Sequence, residues 1–128
     1  MTQHIQTDEA PSFEDLGLPI SQATVHNDTL YVSGQVGIDP ETGKLVDEGV
    51  EAQTKRALEN IEAVLDAADT SFESVLKATV FVESMGDIST INSIYEEYIS
   101  APYPARSAVE VSELAMDCVV EVEVIAGL

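Results

Sequence analysis

One arginine near the C-terminal end of the chain has the setting of a ligand-binding side chain. Arg106 follows Pro102 and Pro104 in the stretch PYPARSAVEV, residues 102–111, at the start of an apolar run. Proline restricts the backbone, so the two prolines stiffen the approach to a predicted strand. A planar guanidinium on a rigid element suits two-pronged binding of a carboxylate. The alternative is a salt bridge to one of the 24 acidic residues of the chain, and the sequence leaves both open.

Two glutamates follow in the last predicted strand. Glu121 and Glu123 alternate with valines in VVEVEVIAG, so both side chains point away from the valine face. The alternation favours the solvated face of a half-buried strand. The other interpretation is a carboxylate at a subunit interface that orients a water molecule as a general base. Glu110, in the neighbouring predicted strand, poses the same choice.

Three further polar or small positions could contribute to a site. Ser33 precedes Gly34 at the end of a predicted strand, without a histidine motif that would make it a nucleophile. We therefore interpret Ser33 as a hydrogen-bond donor, and Gly34 as a place where a ligand approaches the backbone. Asn92, on the second predicted helix, fits a solvated polar residue. His4 and His26 match no metal signature, so the sequence predicts no metal and no cofactor.

Charge excludes whole classes of function. Five Lys and Arg against 24 Asp and Glu give a net charge of −19. Such a surface repels nucleic acid and anionic membranes. Because the carboxylates are spread along the chain, we expect a halophilic protein whose self-repulsion is screened by salt; the alternative is an ordinary acidic protein.

The length of 128 residues fits one domain over residues 1–128. The single Cys118 cannot form an internal disulfide, which favours a reducing cytoplasmic location. The polar, acidic N-terminus is unlike a signal peptide, and no apolar run approaches the ~20 residues of a membrane span.

The elements that must position these residues follow from periodicity. Apolar residues recur at helical spacing from Glu48 to Ala68, and Asp87 can cap a second helix. Strands are predicted near Ile5, twice within 23–33, and at 74–83, 106–111 and 118–126. The second helix should bury Ile88, Ile91, Tyr95, Tyr98 and Ile99. The order β-β-β-α-β-α-β-β predicts an α+β sandwich, with a mixed sheet and two helices on one face. The other sheet face then needs a cover, which oligomerisation would supply.

Four blocks of the chain, in this order, resemble the RidA/YjgF/UK114 family of reactive-intermediate imine deaminases: YVSGQVGIDPETGKLV, ALENIEAVLDAA, KATVFVESMGDISTINSIYEEYI and YPARSAVEV…VEVEVIA. The resemblance covers almost the whole chain. It implies a chorismate-mutase-like fold, assembled as a barrel-shaped homotrimer with clefts between subunits. It also implies hydrolysis of 2-imino or enamino acids, released by pyridoxal-phosphate enzymes, to 2-oxo acids and ammonia.

The resemblance also implies roles for individual residues. Arg106 would clamp the substrate carboxylate, and Glu121 would hold the attacking water. Ser33 and Gly34 would line the cleft, and the carbonyl of Ala108 would help place the water or the imine nitrogen. Fixing the carboxylate in this way puts the imine carbon beside the water and removes orientational freedom.

The chain departs from the family pattern at two positions near the predicted site. Ile20 stands where many members have a tyrosine, and Ala108 where many have a cysteine. Ile20 and Asn92 complete the predicted substrate-binding set. The loss of the tyrosine hydroxyl favours the alternative of a non-catalytic binding protein for small 2-oxo acids. A role on RNA, described for some relatives, conflicts with the charge of −19.

Overall fold

The computed structural model describes residues 2–46 and 49–128, which fold into one six-stranded sheet, a short separate hairpin and two helices. The elements are β1 Gln3–Ile5, β2 Ala23–His26, β3 Thr29–Gln35, β4 Ile38–Asp39, β5 Lys44–Leu45, α1 Val50–Ala67, β6 Val75–Val82, α2 Ile88–Tyr98, β7 Ala105–Glu110 and β8 Val120–Gly127. The β4–β5 hairpin was not among the strands predicted from the sequence.

The main sheet has the strand order β1-β2-β3-β8-β6-β7. Strands β6 and β7 are parallel and are joined through α2, and every other neighbouring pair is antiparallel. A parallel pair needs a crossover connection, and α2 supplies it. The predicted mixed sheet and the α+β class are therefore confirmed.

Both helices pack on the same face of the sheet, as their apolar stripes predicted. The valines of β8 that face them are buried, and so is the stripe of α1. Each fully buried Val, Leu or Ile stabilises the fold by about 1.5–3 kcal/mol. The helical side chains in this core include Ala57, Leu58, Ile61, Val64, Leu65, Ile91, Ile94 and Tyr95. No helix among the described residues combines the length and apolar character needed to cross a membrane.

The second face of the sheet lacks a layer of helices in the described part of the chain. Along β8 the residues that alternate with the buried valines are half-buried. Tyr31 on β3 is 47% exposed and Val109 on β7 is 42% exposed. This face is therefore open in the described chain, and its cover by oligomerisation stays a prediction.

An irregularity in β3 shapes the middle of the sheet. Val32 pairs with Val124 and Gln35 pairs with Val122, so three residues of β3 advance against two of β8. The extra residue forms a bulge at Ser33 and Gly34. Bulges bend a strand and re-aim its side chains, and they occur often beside functional sites.

At the starts of the two helices, one prediction falls outside the described residues and the other needs correction. The first described helical residue is Val50; Glu48, the predicted start, lies outside the described residues. Asp87 occupies the position before α2, but it has helical backbone angles and makes no capping hydrogen bond. Ser84 caps instead: its side chain accepts a hydrogen bond from the backbone N–H of Gly86, in a 3₁₀ turn that leads into α2.

Candidate functional site

Arg106 lies in a groove between the edge strand β7 and α2. It pairs with Ala78 of β6, whose side chain is buried toward the helices, so Arg106 extends to the same side. Its guanidinium carbon Cζ lies 4.9 Å from the centre of the Tyr95 ring on α2. The groove has a volume of about 230 Å³ and is lined by Asn92, Tyr95, Glu96, Tyr103, Pro104 and Arg106.

The guanidinium of Arg106 is not used in a salt bridge within the described chain. Residues 2–46 and 49–128 contain two ion pairs, Lys55–Glu51 at 3.4 Å and Arg56–Glu59 at 3.8 Å. Both join residues one turn apart on the surface of α1. The chain has 24 acidic residues, yet none of those described lies within salt-bridge distance of Arg106.

Two buried polar atoms beside Arg106 also lack partners. Neither the side-chain oxygen Oδ1 of Asn92 nor the hydroxyl of Tyr95 has a hydrogen-bond partner among the described residues. Burying such an atom without a partner costs about 1–3 kcal/mol. Asn92 is thus half-buried and not the solvated residue that its pattern suggested. The structure places Asn92 in the same groove as Arg106, and its part in substrate binding stays a prediction.

The carboxylate of Glu121 lies on the open face, against the bulge of β3. A methyl group added to Gly34 would lie 2.9 Å from the carboxyl carbon Cδ of Glu121. Glycine fits at position 34 because the carboxylate of Glu121 occupies the space that a side chain there would fill. Burial raises the pKa of Glu121, and the negative charge of Glu123 raises it further. A carboxylate with a raised pKa is a stronger proton acceptor, which suits a general base.

The remaining predicted residues are placed as follows. The Ser33 hydroxyl donates a hydrogen bond of 2.6 Å to the carbonyl of Ser21, so its proton is used within the chain. Ile20 is 48% exposed, close along the chain to this contact. Ala108 pairs with Val80 and lies on the same side of β7 as Arg106.

Glu110 does not join the other two glutamates. Glu110 pairs with Val82, on the face of the sheet that the helices cover. Glu121 pairs with Phe81, on the open face. Its Oε1 accepts a hydrogen bond of 2.8 Å from the backbone N–H of Met85. Glu110 therefore has a structural contact and does not share the environment of Glu121.

Within one chain, Arg106 and Glu121 lie far apart. Arg106 is in register with Ala78, and Glu121 with Phe81, on strands separated by β6. Two strand spacings and three residues along a strand put their Cα atoms roughly 14 Å apart. Their side chains also extend from opposite faces. One chain cannot place both groups on one small substrate.

Other reactive groups of the described chain are poor candidates. Burial, with a smaller contribution from the charge of Glu121, raises the pKa of Cys118 to about 11. The thiol is therefore neutral near pH 7 and a weak nucleophile. The described residues contain no group of three or more His, Cys, Asp or Glu that could hold a metal ion.

The predicted site set did not include three residues that line the groove, Tyr95, Glu96 and Tyr103. Of these, Tyr95 contacts Arg106 through its ring. Its pattern placed it on the buried side of α2, which is correct, since it is 5% exposed. Its spacing from Asn92 was the available signal, because residues three apart lie on the same helix face. That signal was not specific enough to separate a core aromatic residue from one beneath a ligand-binding arginine.

These features define a chorismate-mutase-like α+β domain with a small groove at the sheet edge that contains one arginine. The chain belongs to the RidA/YjgF/UK114 family: the family model described as Endoribonuclease L-PSP matches residues 17–128. The 2-iminobutanoate/2-iminopropanoate deaminase of Mus musculus is 43% identical over 122 residues, which cover 95% of this chain and 88% of the mouse protein.

Solved structures show the same fold. A Rid-family protein from Yersinia pestis superposes with a TM-score of 0.95 and 43% identity, and the match covers 100% of both chains. Escherichia coli TdcF with bound serine superposes with a TM-score of 0.89 and 33% identity, over 98% of each chain. The recognition of the family from the four sequence blocks is confirmed.

Proposed function

We propose that this protein hydrolyses reactive 2-imino or enamino acids to 2-oxo acids and ammonia. The observation that carries the proposal is the guanidinium of Arg106 in its groove, which has no salt bridge to any described acidic residue. The relatives named 2-iminobutanoate/2-iminopropanoate deaminase support the reaction. The structure of TdcF with bound serine supports the size and the carboxylate of the ligand.

In the proposed mechanism, Arg106 binds the substrate carboxylate with two parallel hydrogen bonds. This fixes the imine carbon beside a water molecule held by Glu121. The water oxygen adds to the imine carbon, and Glu121 accepts a proton from it. The resulting carbinolamine takes that proton back from Glu121 on its nitrogen. The C–N bond then breaks and releases ammonia, while the hydroxyl proton passes to Glu121 as the C=O bond of the 2-oxo acid forms. The reaction consumes only water, so it requires no cofactor.

The separation of Arg106 from Glu121 leads to a second part of the proposal. The site forms between two chains, with Arg106 from one and Glu121 from its neighbour, in a homotrimer. The exposed Tyr31 and Val109 on the open sheet face support an assembly that covers this face. Closed rings are the usual result when one patch of a chain meets a different patch of the next.

Nucleic acid is not a partner in this proposal. The net charge is −19, and the cations are spread over different elements at Lys44, Lys55, Arg56, Lys77 and Arg106. Lys55 and Arg56 are adjacent, but each pairs with a glutamate of α1. Phosphate binding requires clustered cations that are free to contact the backbone of the nucleic acid.

The proposal is tested by the rate of 2-oxo acid formation from an imino acid generated in the assay. Arg106→Ala should abolish turnover, and Arg106→Lys should not restore it, because an ammonium cannot form the two-pronged bond. Glu121→Gln should bind a 2-oxo acid but lose turnover, because an amide is a weak proton acceptor. Glu123→Gln, on the same strand face, is the matched control and should keep most of the activity.

Co-expression of two inactive variants tests the shared site. If each site takes Arg106 and Glu121 from different chains, mixed trimers of Arg106→Ala and Glu121→Gln contain intact sites. Random mixing should then restore about a quarter of wild-type activity, because each neighbour is suitable in half of the cases. A mixture that stays inactive would show that both groups act from the same chain or not at all.

A non-catalytic binding protein for small 2-oxo acids is the second candidate. It is favoured by Ile20, which cannot donate the hydrogen bond of a tyrosine hydroxyl, worth ~1 kcal/mol. In that case Arg106→Ala would abolish binding of 2-oxobutanoate, while the wild-type protein would show no turnover above the spontaneous hydrolysis of the imine.

A further inference from the structure

We propose that Tyr95 is a positioning residue that holds the guanidinium of Arg106 ready for the substrate carboxylate. The inference rests on the proposed function, since it assigns a task within the same groove. Its basis is the distance of 4.9 Å between Cζ of Arg106 and the centre of the Tyr95 ring. A guanidinium within about 6 Å of a ring centre is attracted by the electrons of the ring face.

The ring is a rigid support. Tyr95 is 5% exposed, and its neighbours on α2, Ile91 and Ile94, are 1% and 3% exposed. Side chains in a packed core are held in one conformation, so the ring cannot turn away from the groove. Burial raises the pKa of Tyr95, and the nearby charge of Arg106 offsets part of that rise. The distance of 4.9 Å between Cζ and the ring centre is what places the guanidinium in contact with the ring.

Rigidity matters because a free arginine has many conformations. Ordering such a side chain upon binding costs roughly 0.5–1.5 kcal/mol, which weakens the affinity for the ligand. A ring that already orders the guanidinium removes part of this cost before the substrate arrives. In the described chain no carboxylate pairs with Arg106, so the ring orders the cation without neutralising it. A salt bridge in its place would compete with the substrate.

The aromatic ring and the hydroxyl of Tyr95 can be separated experimentally. The hydroxyl is buried without a partner among the described residues, so its removal leaves no other group unsatisfied. Tyr95→Phe keeps the ring and should fold normally. Tyr95→Leu removes the ring, and Tyr95→Met does so while filling more of the space with an adaptable side chain.

The test measures the dissociation constant of 2-oxobutanoate, a stable stand-in for the imine, by calorimetry, together with kcat and KM for the imine. Tyr95→Leu and Tyr95→Met should weaken binding and raise KM by about 3- to 30-fold, the range expected for a lost cation–π contact. Tyr95→Phe should stay within about twofold of wild type.

Tyr98→Leu is the matched control. Tyr98 lies on the same helix but packs edge-on against Phe72, with ring centres 6.2 Å apart. The Tyr98→Leu variant should melt at a lower temperature but bind 2-oxobutanoate with an unchanged dissociation constant. A shift in affinity as large as that of Tyr95→Leu would mean that general damage to α2 explains the effect, which would overturn the inference.

A double-mutant cycle completes the design. In the Arg106→Ala background, with 2-oxobutanoate titrated far above its wild-type dissociation constant so that residual binding is measured, Tyr95→Leu should cause no further loss of binding, because the side chain that Tyr95 positions is gone. Losses that multiply would overturn the inference, as would a Tyr95→Phe variant as weak as Tyr95→Leu. A loss in Arg106→Ala with none in Tyr95→Leu would refute the role of Tyr95 alone. Unchanged binding in Arg106→Ala would refute the clamp itself, and the proposed function with it.

Discussion

Gly34→Ala is the substitution that most directly tests how Glu121, the proposed general base, is positioned. Gly34 does not have a positive φ, so alanine adds no backbone strain there. The obstacle is the added methyl group, which would lie 2.9 Å from Cδ of Glu121. Carbon atoms pack at about 3.5 Å or more. The carboxylate must therefore retreat by at least roughly 0.6 Å.

This displacement should lower catalysis more than stability. A misplacement of about 1 Å in a catalytic group can cost ~100-fold in rate, so we expect a loss of about tenfold in kcat. KM should change less, because the carboxylate clamp Arg106 contacts neither Gly34 nor Glu121 within one chain. The free energy of unfolding should change by less than about 1 kcal/mol, since alanine also reduces the entropy of the unfolded chain.

The assay is 2-oxo acid formation for Gly34→Ala, Glu121→Gln and the double variant. The double variant should be no slower than Glu121→Gln alone, because both changes disable the same base. Gly86→Ala is the control, since its added methyl would lie 3.3 Å from Oγ of Ser84, the movable end of a side chain. Wild-type kcat in Gly34→Ala, or losses that multiply in the double variant, would refute this reasoning.

Two further predictions concern stability. Burial and the charge of Glu123 raise the pKa of Glu121 in the folded state. The folded protein therefore holds this proton more tightly than the unfolded chain does. The resulting stabilisation is fully present below the ordinary carboxyl pKa of ~4.3, and it is lost as pH rises through the raised pKa. Glu121→Gln should therefore melt above wild type at pH 7 but not at pH 4; equal melting temperatures at pH 7 would contradict this. The protein should also melt at a higher temperature in molar KCl than in dilute buffer, because the described chain has two surface ion pairs against a net charge of −19. A melting temperature independent of salt would remove the halophilic interpretation.

Several features of this protein could be predicted from local sequence pattern alone. The helical spacing of Leu58, Ile61 and Leu65 predicted the buried stripe of α1, and the alternation of valines with Glu121 and Glu123 predicted the two faces of β8. Such patterns are reliable because the side-chain direction repeats every 3.6 residues in a helix and every two in a strand. The class of fold followed from the order of these elements. The family was recognised separately, from the resemblance of four sequence blocks.

The contacts of the candidate site were decided by tertiary structure. Gly34 touches Glu121 because β8 inserts between β3 and β6 and a bulge shifts the register. Arg106 remains without a carboxylate partner in the described chain, and lies over Tyr95, because α2 crosses behind the edge strand β7. Strand order and register are set by the packing of segments far apart in the chain, so periodicity along one segment carries no information about them. For the same reason, only the folded sheet shows that Arg106 and Glu121 extend from opposite faces.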